Sequence, residues 1–295
     1  VFVLLAAALW ALRDQLPAIL EVLRTTHPRW ALVALASALV LATYALLIET
    51  WRQVLGALGA ALSRTDAAVV WLGSNLARYL PLTLWQLGVM SAMARRRGVA
   101  LVDSGTAALL VTIVNVFTGI AVFAVTAAQV PALGQHGVWF LGAGVVALVS
   151  APFVLPLAAR LASRLTGRTV TLPPVGVRPI LIAAAGTAIA WIVYGLAFWV
   201  LAQAVLPDQS RSITAAIAIY TGAYLAGFLA IVPPAGVGVA EGVMYELGTR
   251  LAFATGPEML ALAIIVRLWR TVLEILPGLV ALAMEAVAAR TAERA

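Results

Sequence analysis

At 295 residues, with 63% hydrophobic, 11% charged and a mean hydropathy of +1.04, the chain is far more apolar than a soluble domain, which carries roughly 45–50% apolar residues, and it reads as a polytopic membrane protein. A formal net charge of +7 would point a soluble chain towards nucleic acid, but the 19 basic residues are all arginine and gather between apolar runs, where they orient spans and touch anionic headgroups, so no nucleic-acid partner is expected. The absence of cysteine excludes disulfides, a thiol nucleophile and Cys-ligated metal, and His27 and His136 make a poor metal pair.

An apolar run of about 20 residues crosses about 30 Å of hydrocarbon. On that measure the first span covers 1–12 and is expected to be trimmed at its start; it lacks the basic region and cleavage site of a signal peptide. Residues 13–29 and 49–66 read as interfacial connections on either side of a span at 30–48. Residues 67–92 are apolar but broken at Pro81, and full spans follow at 104–129, 137–158 and 180–206. A second apolar segment, 213–256, is broken at Pro233-Pro234, and the last span runs over 258–288. If each broken segment enters and leaves on one side, eleven of the 19 arginines share a face: Arg52, Arg64, Arg95, Arg96, Arg97, Arg160, Arg164, Arg168, Arg178, Arg290 and Arg294. The opposite face keeps Arg13, Arg24, Arg29 and Arg211, which predicts that both termini are cytoplasmic.

The order span, broken segment, span occurs twice in opposite senses, over about 30–129 and about 180–288, with the basic linker 159–179 between them. The expected fold is an all-α polytopic membrane protein, an inverted-topology repeat with two broken re-entrant helical hairpins. Residues 1–295 form one integral membrane domain on this reading, since neither half could cover its polar hairpin alone.

Both breaks place charge beside proline and glycine. The first reads Asn75-Leu-Ala-Arg78-Tyr79-Leu-Pro81-Leu-Thr-Leu-Trp85-Gln86-Leu-Gly88, the second Pro233-Pro234-Ala-Gly236-Val-Gly238-Val-Ala-Glu241-Gly242. Unwound backbone and helix ends can bind polar groups within a bilayer, so a broken segment in each half points to a transport site. An ionisable group at membrane depth costs at least about 2.5 kcal/mol and normally faces a cavity or a partner. Glu241 thus has a functional reading, gating or proton exchange, beside a structural one as partner of a nearby arginine. Arg267, Arg270 and Glu274 lie at i, i+3 and i+7 on one helical face. Arg270 and Glu274 can pair as a neutralised packing stripe, leaving Arg267 for Glu241 or for a phosphate. Arg78 is either a cavity cation or a side chain that snorkels to the interface. Gly236 and Gly238, just after Pro-Pro, indicate closely approached, unwound backbone rather than a simple kink. Tyr79, Trp85, Tyr220 and Tyr224 each read singly as interfacial aromatics. The candidate substrate-binding or gating set is Arg78, Tyr79, Pro81, Trp85, Gln86, Pro234, Gly236, Gly238, Glu241, Arg267, Arg270 and Glu274.

Arg78-Tyr-Leu-Pro81 with Trp85-Gln86, the run Arg95-Arg96-Arg97-Gly98, and the second motif together resemble the transmembrane family typified by the flippase domain of lysylphosphatidylglycerol synthases, which includes glycosyltransferase-associated members. The similarity covers nearly the whole chain. It implies a prokaryotic plasma-membrane protein that moves lipids or lipid-linked groups between leaflets, with two re-entrant regions facing a central cavity. Leu82-Thr83 and Ala235 stand where members commonly carry glycine, and Ala240 where they carry an Arg before the Glu. Thr112 and Asn115 in the span 104–129 come without the acid that relatives often have nearby. No aminoacyl-transferase domain is expected, and hence no lysyl-lipid synthesis.

Walker, Gly-x-Ser-x-Gly and His-Glu-x-x-His signatures are absent, so no enzyme activity, cofactor or metal is expected. The expected function is flippase-like transport of an anionic phospholipid or polyprenyl-phosphate-linked glycolipid, with Arg78 and Arg267 neutralising phosphate and the tails remaining in lipid. The alternative is a non-transporting membrane anchor or regulator of a glycosyltransferase or envelope-lipid enzyme. The expected partners are accordingly a membrane lipid or lipid-linked sugar, and a glycosyltransferase.

Overall fold

The computed structural model describes residues 27–79, 85–129, 176–206, 211–230 and 236–292, with the single positions Trp139, Gly142 and Val146 between 130 and 175. The expected span at 1–12, all but those three positions of the expected span at 137–158, Pro81, Pro233, Pro234 and the side chain of Trp85 lie outside the described residues. Every regular element described is helical.

Helices α1 (Trp30–Ala57), α4 (Leu101–Ala128) and α5 (Val177–Val205) are long and apolar enough to cross a membrane. Two shorter pairs accompany them. The first is α2 (Arg64–Asn75), which tightens into a 3-10 turn at Leu76–Tyr79, with α3 (Trp85–Arg95); the second is α6 (Ile213–Leu229) with α7 (Val239–Arg250). The chain closes on α8 (Gly256–Ala292), 37 residues long with Pro277 inside, whose apolar character is interrupted by Arg267, Arg270 and Glu274.

Local chemistry sets the starts of the short helices. Ser63 Oγ accepts the Asp66 amide at 3.0 Å to cap α2, and Ser212 Oγ accepts the Ala215 amide at 3.2 Å to cap α6. Glu258 reaches back to the Thr255 amide and hydroxyl at 2.9 and 2.8 Å at the start of α8. The second break is visible in the backbone. Helix α6 gives way to extended backbone at Ala230, and α7 is preceded by Gly236 and Gly238, at φ +66° and +86°, a region that glycine alone occupies cheaply. A Cβ at Gly236 would fall 2.4 Å from the Gly227 carbonyl oxygen, so backbone approaches backbone there, as the glycine pattern predicts.

Both short pairs are antiparallel. Gln86 Nε2 donates to Asn75 Oδ1 at the closed end of the first pair, and Arg97 Nε donates to Asp66 Oδ1 at 3.0 Å at its open end. In the second pair Gly227 packs on Ala240 and Gly222 on Leu247. Helices α1 and α5 also run antiparallel: the Arg29 amide donates to the Ala204 carbonyl at 3.0 Å, and Gly186 leaves room for Thr50. The first pair therefore opens at the end of the bundle holding Arg52, Arg64, Arg95, Arg96, Arg97 and Arg178. The second opens at the end holding Arg29, Arg211 and Arg250. One apolar core lies towards each end, around Trp51, Leu55, Val70 and Leu110 in one case and Phe198, Ile219, Met259 and Leu262 in the other. Packing also crosses between the halves: α2 lies on α8, and α6 lies on α4.

Candidate functional site

The polar residues of both broken segments meet between the two apolar cores. The 3-10 turn after α2 carries Arg78 and Tyr79 on consecutive positions, and both reach Glu274, near the middle of α8. Glu274 Oε1 accepts from Arg78 Nη1 at 3.1 Å and from Arg270 Nη2 at 2.7 Å, while Oε2 accepts from the Tyr79 hydroxyl at 2.7 Å. The carboxylate is only 6% exposed. The pairing of Arg270 with Glu274 follows directly from their i, i+4 spacing. Arg78 is a different matter. It turns inward rather than snorkelling, and its second nitrogen donates to the Tyr224 hydroxyl at 2.8 Å.

Tyrosines from α6 complete the cluster. The Arg270 guanidinium lies 4.7 Å from the Tyr224 ring centre and 5.6 Å from that of Tyr220, within cation–π range, and Arg78 lies 5.9 Å from Tyr224. Tyr224 is the functional candidate that reading the tyrosines singly as interfacial residues missed. In the sequence only the i, i+4 spacing of Tyr220 and Tyr224 marks one face of an otherwise apolar helix; that this face meets two part-buried arginines emerges from the packing of α8.

The second charge pair lies in the same cleft. Arg267 Nη1 is 3.5 Å from Glu241 Oε1, the partnership expected from the arginine left over by the i, i+4 pair. Glu241 Oε2 also accepts the Gly238 amide at 2.7 Å, so the carboxylate helps to start α7 besides neutralising Arg267. A quarter of each side chain remains exposed, 25% for Glu241 and 26% for Arg267. Among these five groups the balance is three arginines against two glutamates, a net +1.

Two adjoining spaces surround the cluster. A cleft of about 60 Å³ is bordered by Glu241, Arg267, Arg270, Thr271 and Glu274. A larger cavity of about 400 Å³ has apolar and aromatic walls, including Trp51, Trp71, Trp191 and Tyr194, with Asn75, Gln86, Thr112 and Asn115 as its amide and hydroxyl groups. Arg78, Tyr224 and Phe228 border both spaces. A cavity of this size, mostly apolar with a few polar groups, is the common form of a small-molecule site. The structure thus brings together Arg78, Tyr79, Glu241, Arg267, Arg270 and Glu274, and sets Gln86 on the neighbouring cavity wall. Gly236 and Gly238 shape the backbone that presents Glu241, while Pro81, Pro234 and the Trp85 side chain fall outside the described residues. Among the described residues no group of three or more His, Asp or Glu side chains is placed to hold a metal ion. No protein-family model matches the chain, and no curated protein matches it.

Proposed function

We propose that this protein is a flippase-like transporter that carries an anionic phospholipid or polyprenyl-phosphate-linked glycolipid between membrane leaflets. The carrying observation is the net-positive cluster of Arg78, Arg270, Arg267, Glu241 and Glu274, set midway along the bundle and sharing Arg78 with a cavity of about 400 Å³. A phosphate-bearing headgroup has cations to meet there, and an apolar chain has the larger cavity beside it. On this reading the antiparallel pairs are re-entrant hairpins entering from opposite faces, since helices of 12, 11 and 12 residues are too short to cross hydrocarbon.

The inverted-topology repeat is supported by matched packing. Pairing α1 with α5, α2 with α6, α3 with α7 and α4 with α8 relates the contact of α2 on α8 to that of α6 on α4. Because α1 and α5 are antiparallel, the axis relating the halves would lie across the helices, in the plane of a bilayer. The six described arginines at the end where the first pair opens make that end cytoplasmic. The family resemblance carried by the two motifs leads to the same class of protein, a multi-pass protein of a prokaryotic plasma membrane.

Internal pairing of the cluster favours a second reading, in which the protein anchors or regulates a glycosyltransferase or envelope-lipid enzyme through its arginine-rich end. Reconstitution separates the two. Vesicles containing the protein and a headgroup-labelled anionic lipid should show protein-dependent loss of label to a membrane-impermeant quencher beyond the outer-leaflet share. A rate equal to that of empty vesicles across phospholipids and polyprenyl-phosphate sugars would leave only the anchoring role.

A further inference from the structure

Glu274 is the one anion at the centre of three converging donors. Two guanidinium groups and a phenol converge on its two oxygens, a donor set that equally suits two oxygens of a phosphoryl group. The two cations have different tethers. Arg270 shares α8 with Glu274, whereas Arg78 comes from the turn after α2, 196 residues away along the chain. If Arg78 left, Glu274 would keep Arg270 and the Tyr79 hydroxyl and would not become an uncompensated buried charge. Of the three arginines, Arg78 alone borders both the cleft and the larger cavity, so an anion in either space has it within reach. The Arg270 Nε, buried without a hydrogen-bond partner, leaves donor capacity in the cluster that the carboxylate does not use.

We infer that Glu274 is a resident counter-ion, displaced from Arg78 by the phosphoryl group of an incoming amphiphile, and that this exchange removes one of the charged ties between the first helix pair and α8, leaving those through Tyr79 and Arg97 in place. The inference rests on the transport reading above and adds to it a coupling step. The ligand phosphate replaces the carboxylate on Arg78, the carboxylate stays with Arg270 and Tyr79, and the Arg78 tie between the halves opens only when substrate is there to take Arg78. An empty carrier keeps its two halves fastened. No proton or covalent bond need be exchanged.

The internal competitor should lower apparent affinity by the fraction of molecules in which Arg78 is free to bind. The full chain in neutral maltoside micelles can be titrated with dodecyl phosphate, inorganic phosphate and dodecanol, with the change in tryptophan fluorescence, to which Trp51, Trp71 and Trp191 of the cavity wall contribute, as the signal. Glu274→Gln should bind dodecyl phosphate about tenfold tighter than the natural chain, because the competing charge is gone. Tyr79→Phe leaves the net charge unchanged and removes a donor that stays with Glu274 in the exchange and holds the carboxylate beside Arg78; it should gain a few-fold, and it carries the test if Glu274→Gln does not fold. A gain for dodecyl phosphate alone assigns a lipid headgroup, and an equal gain for inorganic phosphate assigns a free anion. Binding of dodecyl phosphate by the natural chain with no gain in either variant would overturn the counter-ion role and leave the transport reading standing. Failure of every form to prefer dodecyl phosphate over dodecanol would overturn both.

Discussion

Glu241 makes two contacts that substitution can separate. Glu241→Gln keeps an oxygen for the Gly238 amide but loses the charge facing Arg267. Thermal stability in detergent should then change by no more than about 0.5 kcal/mol, while on the proposed transport reading headgroup translocation falls. Glu241→Ala removes both contacts and should cost about 1 kcal/mol more, the usual worth of a helix cap. Equal melting losses in both variants, with translocation intact, would reduce Glu241 to a structural ion pair. The buried cluster behaves differently because its members are shared. Removing one partner of a buried pair costs about 3–5 kcal/mol in a protein interior. Glu274→Gln leaves Arg78 and Arg270 facing each other, whereas Arg78→Gln leaves Glu274 with Arg270, so the first should melt below the second. Combining them should cost less than the sum by about 0.5–3 kcal/mol, the range for residues in direct contact. Additive losses would mean that the 3.1 Å contact contributes no coupling energy.

Helix ends and glycines carry the constraints at the next scale. Gly236→Ala forces a Cβ against the Gly227 carbonyl at a positive φ, and should destabilise by about 2 kcal/mol or more through overpacking and backbone strain. Gly88→Ala, in α3 with nothing within 4 Å of the added carbon, should instead stabilise by about 0.5–1 kcal/mol through helix propensity. Parallel melting curves test the contrast. At the open end of the first pair, Arg97 ties Asp66 of α2 to Glu285 of α8, at 3.0 and 3.3 Å. The Ser63 hydroxyl, donating at 2.6 Å, and then Arg97 hold the Asp66 carboxyl below its ordinary value. A depressed carboxyl stabilises the fold fully above its unfolded value of about 4, and that contribution disappears as pH falls through the lower folded value. Between pH 7 and pH 3 the natural chain should therefore lose more thermal stability than Asp66→Asn. Matching losses would show that the tie adds nothing.

Across the whole molecule, the two helix pairs open at opposite ends, and the lack of any native cysteine makes this directly measurable. Thr65→Cys and Ala100→Cys, both exposed at the arginine-rich end, should react with a membrane-impermeant maleimide from one side, and Thr255→Cys from the other. Labelling of all three from the same side would rule out hairpins from opposite faces. Much of this arrangement could be read in the chain, because proline and glycine punctuate helices locally and the i, i+4 spacing of Arg270 and Glu274 pairs them without help from the rest of the fold. Arg267 followed by elimination. The contact of Arg78 with Glu274 could not be read, since nothing local distinguishes an inward guanidinium from a snorkelling one. Tyr224 likewise resembles any interfacial tyrosine until α8 is packed beside it. The helices also outrun the apolar stretches that announce them: α1 continues from 48 to Ala57, with Trp51, Val54 and Leu55 buried in the core and Arg52 paired with Glu49 at 2.7 Å within the same helix. One consequence of the crossed packing is temporal. With a ribosome adding about 5–20 residues per second, the 196 residues between Arg78 and Glu274 take about 10–40 s to make. Throughout that interval a guanidinium destined for the interior sits in an unfinished protein whose acidic counterpart does not yet exist. Chains cut short before α8 never acquire it, and membrane proteases should clear such fragments faster than they clear the completed protein.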